Sequence, residues 1–194
     1  MRFTIAFKIF SIAIGLLSLM VIAALIGLRM TRTVDDQLGE LVRYNFPAYA
    51  TLAQANTRNT QESAYISRLM LAFDENPRDE AKITELHRWV TTAAADSDFG
   101  IAETRRLLNR HLQKGLTLSD DVEIARLDTE IGFLQERRKR YETVFAKLFD
   151  AARDRDADAD SLLDELDRIR DDFDQRMAEA QLDMRRIAEN SVGA

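Results

Sequence analysis

The sequence contains no cysteine. Disulfides and thiolate metal sites are therefore excluded. Two prolines and seven glycines in 194 residues leave few natural breaks. Strand alternation and Asn-Gly hairpin signals are missing, so nothing competes with helix. A GxSxG elbow, a phosphate loop and an HExxH motif are also missing. Nothing in the sequence supports nucleophilic or metal catalysis, and no cofactor or metal site is expected. His87 and His111 lack paired ligand spacing and read as surface or seam residues. Basic charge is in deficit, with 27 Lys and Arg against 33 Asp and Glu and a net charge of −6. A nucleic-acid surface is normally basic, so nucleic acid is not an expected partner.

What the sequence does have is one long uncharged run, Ile9 to Leu28, bounded by Lys8 and Arg29. At about 1.5 Å per residue a helix of this length crosses roughly 30 Å of hydrocarbon. One helix satisfies its own backbone there. A cleaved signal peptide has a shorter apolar core and a small-x-small cleavage site. Here the run is followed by Arg29, Met30, Thr31 and Arg32, so a retained anchor over residues 9–28 is expected. Lysine and arginine near the two ends are too balanced to set orientation. Residues 1–8 cannot form a domain, so the larger part is expected to cross, with the N-terminus in the cytoplasm. Ser11, Gly15, Ala23 and Gly27 share a four-residue repeat broken by Leu19. Such a ridge suits a helix–helix contact, although glycine is also simply common in spans.

Residues 29–190 read as one extramembrane domain, with 191–194 as a tail. Charged residues make up 31% of the chain, a long-helix composition. From Thr33 to Phe73 apolar residues recur at helical spacing: Val34, Leu38, Leu41, Ala48, Leu52, Ala55, Ile66, Leu69, Phe73. Pro47 should kink that helix near Phe46. Asn45, Asn59 and Glu62 are the polar exceptions on the stripe. Asp74-Glu75-Asn76-Pro77 ends it. A second helix, Arg78 to about Gln113, starts with Ile83, Leu86, Val90 and Ala93. Its stripe weakens through Ser97, Gly100, Thr104 and His111, and Gly115 is a plausible cap. Ser119 with Asp120 and Asp121 opens a third helix, carrying Ile124, Leu127, Ile131, Leu134, Tyr141, Phe145 and Leu148. Arg138 falls on its stripe. Arg153 to Asp160 is a polar turn, and Ser161 with Asp164 resembles a capping box for the last helix. The expected fold is all-α: one transmembrane helix, then an antiparallel up-down four-helix bundle.

Counting along these helices from the turns brings Asn59 and Glu62 level with Arg138–Arg140, Asp171–Asp174 and Trp89–Val90. Arg138 should face Glu62 or Asn59, because an isolated buried charge costs several kcal/mol. Such a layer could form a pocket in which arginines hold a carboxylate. It could equally be a structural ion pair that fixes register. Asp154, Asp156, Asp158 and Glu165 have the spacing of a calcium loop. Ala159 replaces its glycine and Ser161 its apolar residue, which leaves an acidic interhelix turn as the better reading.

The short basic start, the span and the stretch VDDQLGELVRYNFPAYATLAQANTRNTQESAYISRLMLAF resemble the membrane-anchored sensor domain of methyl-accepting chemotaxis receptors. Related histidine kinases and cyclases share that domain. The resemblance lies in residues 1–75 and in overall architecture. It implies a non-enzymatic sensory domain on the periplasmic side of a bacterial inner membrane. It also implies a homodimer that binds a small molecule or a periplasmic protein. In aspartate-binding members arginines along the first and fourth helices hold the ligand. Arg58 and Arg68 match them loosely, and with Asn59, Glu62 and Arg138 they form the candidate ligand-binding set. Ser63 and Ser67 stand where further basic residues would be expected. A second span, a HAMP linker and an output domain would normally follow, and the second span would begin near Ser191. The input domain of a cyclase or kinase is an alternative, as is a ligand-free tethered scaffold or oligomerisation stalk.

Overall fold

The computed structural model describes residues 5–40, 46–113 and 118–193. Leu41, Asn45 and Gly115 lie outside them. Among the described residues there are five helices and no strand: α1 (Ile5–Glu40), α2 (Phe46–Asp74), α3 (Glu80–Leu112), α4 (Leu118–Asp154) and α5 (Ala159–Gly193). The chain divides into two units at residue 40.

The first unit is α1. Its segment Ile14–Thr31 has a mean hydropathy of 2.1, and none of it is buried in the fold. Leu16, Leu17, Leu19 and Met20 stand in the open. A single helix cannot hide such a surface from water, and hydrocarbon suits it on every side. The helix is long and apolar enough to cross a membrane. Nothing lies within 4 Å of where a side chain would start at Gly15 or Gly27.

The second unit is a four-helix bundle. Its helices pack in a ring, α2 on α3, α3 on α4, α4 on α5 and α5 on α2, and α2 touches α4 across the diagonal. Short turns join α2 to α3 and α4 to α5, which makes those pairs antiparallel. Pro47 is the second residue of α2. The kink expected near Phe46 borders residues 41–45, which lie outside the described residues. Asp79 caps α3, its carboxylate accepting from the amides of Ala81 and Lys82, each at 3.1 Å. Helix α4 begins at Leu118, ahead of Ser119, and α5 begins at Ala159, ahead of Ser161. Neither serine therefore sits outside its helix as a cap must. Helix α4 ends with Arg155 at φ 58° and the Asp156 amide bonded to the Ala151 carbonyl at 2.9 Å. That is a left-handed Schellman closure built without glycine. The last helix runs on through Gly193, past residue 190.

Arg78 locks the end of the bundle that carries the two turns. Its guanidinium donates to the carbonyls of Phe73 (2.8 Å), Arg153 (2.8 Å) and Ala152 (3.0 Å). One cation thus satisfies the exposed carbonyls where α2 and α4 both end, and it favours both helix dipoles.

The core comes in two apolar halves. One gathers Leu52, Ala55, Ile101, Leu127, Ile131, Leu134, Phe173 and Met177 among its members. The other gathers Ile66, Leu69, Val90, Tyr141, Phe145, Leu148, Leu166 and Ile169 among its members. Between them α2 carries Asn59 and Glu62, and α4 carries Arg138.

Candidate functional site

The interval between the two halves is a polar layer. Arg138 is only 2% exposed and Glu62 only 1%. Arg138 Nη1 lies 2.7 Å from Glu62 Oε2. Its Nε donates to Asp98 Oδ1 at 3.0 Å, and its Nη1 donates to Asn59 Oδ1 at 3.4 Å. The Asn59 amide nitrogen in turn donates to Asp174 Oδ1 at 2.8 Å. The chain of contacts therefore runs Asp174, Asn59, Arg138, Glu62 and Asp98, and every helix of the bundle supplies a member. Asp98 on α3 and Glu142 on α4 both line the groove between those helices. The guanidinium also lies 5.3 Å from the Tyr141 ring centre, a favourable cation–π distance.

Burial pushes the Glu62 carboxyl above its ordinary range, against the opposing pull of Arg138. Burial also works against the Arg138 charge, but Glu62 and Asp98 outweigh it and hold the guanidinium firmly protonated. Burial raises the Asp174 carboxyl, while Arg170 and Asn59 restrain it. Glu142 is pushed up to about 7, first by the Asp98 carboxyl beside it and then by partial burial. The pairing in the layer is incomplete. Glu62 Oε2 is close to Arg138 but out of hydrogen-bond alignment, and Arg138 Nη2 is buried without a hydrogen-bond partner. Unsatisfied buried atoms of this kind are uncommon in a folded core.

Of the residues singled out in the sequence, Asn59, Glu62 and Arg138 come together here. Arg58 does not join them. It pairs with Asp96 at 3.3 Å and donates to Gln61. Arg68 is exposed on α2 and borders a hollow of about 570 Å³ with Tyr65 and Trp89. The α3 member of the layer is Asp98, whereas counting from the turns pointed to Trp89 and Val90. Val90 packs in one apolar half, and Trp89 lies beside Tyr65 with ring centres 5.4 Å apart. Asp98 and Glu142 were not distinguished in the sequence. Both stand on the half-exposed edge of the α3–α4 seam, one position off an apolar stripe, where an acid looks like ordinary solvated surface. Among the described residues no three His, Asp or Glu side chains converge as a metal site, the acidic turn included. His111 is buried, and the His87 ring lies 4.2 Å from the Phe149 ring centre in a tilted contact.

A groove of about 500 Å³ opens onto this layer between α3 and α4. Ala94, Ala95 and Ala146 leave the room, Phe145 and Phe149 form an apolar wall, and Glu62, Asp98 and Glu142 line one end. His87 and Asp150 line the other. Such a cleft, mostly apolar with a few converging polar groups, is the usual form of a small-molecule site. The chain matches no family model, no curated protein and no solved structure.

Proposed function

We propose that the chain is a membrane-anchored, extracytoplasmic sensory bundle without enzymatic activity, as its resemblance to chemoreceptor sensor domains implies. Helix α1 is the anchor in a bacterial inner membrane, and the bundle faces the periplasm. Two copies pair through the small-residue face of α1. A small molecule settles on the polar layer and favours one packing of the four helices over another. The chain between α2 and the span then carries that shift towards the membrane. A ligand drives the change only through different affinity for the two packings.

The observation that supports this most is the polar layer itself. A stalk or scaffold gains nothing from two buried atoms without hydrogen bonds and a cleft that opens beside them. A sensor needs an element of its core that can be paired in more than one way. The test is thermal unfolding of the chain in detergent micelles against a library of small metabolites. A ligand at 100 times its Kd adds about 2.7 kcal/mol, which raises the midpoint of a domain this size by several degrees. At least one chemical class should do so saturably. A flat response across the library at millimolar concentration would overturn the reading and leave the scaffold.

A further inference from the structure

We propose that the outer groove between α2 and α3 binds a small aromatic carboxylate, its ring on Tyr65 and Trp89 and its carboxylate on Arg68. The site is separate from the polar layer and does not rest on the sensory reading. Helical spacing brings its residues together. On α2, Tyr65, Arg68 and Leu71 recur at steps of three, and on α3 Lys82, Glu85, Leu86 and Trp89 recur at steps of one to three across a single face. The short turn makes the two helices antiparallel, and Tyr65 and Trp89 stand equally far from Pro77. The two faces therefore meet, and they border the hollow of about 570 Å³.

The first observation is apolar. Trp89 is the one tryptophan of the chain, and it stands 46% exposed instead of filling a core half. Its ring centre lies 5.4 Å from that of Tyr65, with the planes 57° apart. Rings tilted in this way form a corner that suits a third ring in offset or edge-on contact. Leu71, 67% exposed, and Leu86 extend the corner into an apolar patch with a charged rim. Such patches commonly mark ligand-binding grooves. The second observation is the state of the rim. Lys82 is tied to Glu75, and on the other side of the ring pair Arg58 is tied to Asp96. Among the described residues Arg68 and Arg88 make no ion pair and no side-chain hydrogen bond, and each borders a hollow that Tyr65 and Trp89 also line. Glu85 is the rim acid in the same state. Two unpaired guanidiniums against one unpaired carboxylate leave the rim short of negative charge, in a chain whose net charge is −6. An anion supplies it, whereas a cation finds only Glu85. A guanidinium donates to both oxygens of a carboxylate at once. Arg68 borders the larger hollow, together with both leucines.

Trp89 reports on its own site, because the chain has no other tryptophan. Tryptophan fluorescence and calorimetry on the full chain in micelles test the site with 3-phenylpropanoate. Neutral 3-phenylpropanamide, cationic 2-phenylethylamine and ringless hexanoate are the comparisons. 3-Phenylpropanoate should change the emission saturably, and each of the other three should bind weaker by about tenfold or more. By calorimetry, Arg68→Gln and Trp89→Ala should each weaken 3-phenylpropanoate by about tenfold or more. Arg168→Gln should leave it unchanged, since Arg168 is an exposed arginine on α5 and borders neither hollow. None of the three substituted side chains is buried, so all three variants should keep their helix content. No response to 3-phenylpropanoate at millimolar concentration overturns the proposal. So does equal binding of any of the three comparisons, unchanged affinity in Arg68→Gln, or an equal loss in Arg168→Gln. If 3-phenylpropanoate is silent while another metabolite raises the unfolding midpoint, this site falls and the sensory reading stands.

Discussion

Gly100 marks the place where α3 comes closest to α2. A Cβ built there would lie 2.9 Å from the Ala55 Cβ and 3.0 Å from the Thr51 carbonyl oxygen. The Thr51 oxygen belongs to backbone and cannot swing aside. Gly100→Ala should therefore cost about 1–3 kcal/mol by overpacking, even though alanine favours helix by about 1 kcal/mol over glycine. Urea unfolding followed by helical circular dichroism would measure it, and a stabilised variant would show that the seam has slack. Arg138 sets the other residue-scale test. Removing one partner of a buried pair leaves the other charged and alone, whereas replacing both with apolar residues is often neutral. Arg138→Met should cost about 3–5 kcal/mol. Adding Glu62→Leu should recover most of that loss, because Asp98 is 39% exposed and can turn to water. Additive losses in the double variant would mean that the two side chains do not act as a pair.

At the scale of helices, the stripe that fades through Ser97, Gly100 and Thr104 is the tightest interface in the bundle. Small residues let the two backbones approach. Ser97 then donates to the Ala55 carbonyl at 3.2 Å, and Thr51 and Thr104 share a hydrogen bond of 2.8 Å. A hydrophobic pattern cannot show this, because the seam is held by close approach and hydroxyls rather than by large apolar side chains. The four stripes and the level of Asn59, Glu62 and Arg138 were legible, since helical rise is constant and buried charges must pair. Helix ends were less so. Ser119 and Ser161 look like caps, but capping depends on where the helix starts, and both serines lie inside their helices. Asp98 and Glu142 were hidden because neighbours across a seam depend on helix rotation, which sequence counting leaves free.

The α3–α4 seam also carries a pH dependence. The Glu142 carboxyl is raised in the folded bundle above its ordinary value near 4.5. The folded state therefore holds more protons than the unfolded chain between about pH 4.5 and 7. Its contribution to stability is fully present below about pH 4.5 and is lost as pH rises through about 7. The group is largely solvated, so after screening the effect is under about 1 kcal/mol, or about 2–4 °C in the midpoint. Melting curves from pH 5 to 8 should show this fall, and Glu142→Gln should flatten it. An unchanged slope in the variant would show that Glu142 does not carry the dependence.

For the whole molecule, the helix fit to cross a membrane and the bundle are separate units, and their functional relation depends on which side of the membrane the bundle occupies. The sensory reading requires it outside. Because the sequence has no cysteine, a single introduced thiol reports on one place only. Ala157 is exposed in the turn between α4 and α5, so Ala157→Cys should leave the fold intact. In intact cells a membrane-impermeant maleimide should label that thiol as fully as it does in detergent-solubilised protein. A thiol protected until the membrane is opened would place the bundle in the cytoplasm and contradict an extracytoplasmic sensor.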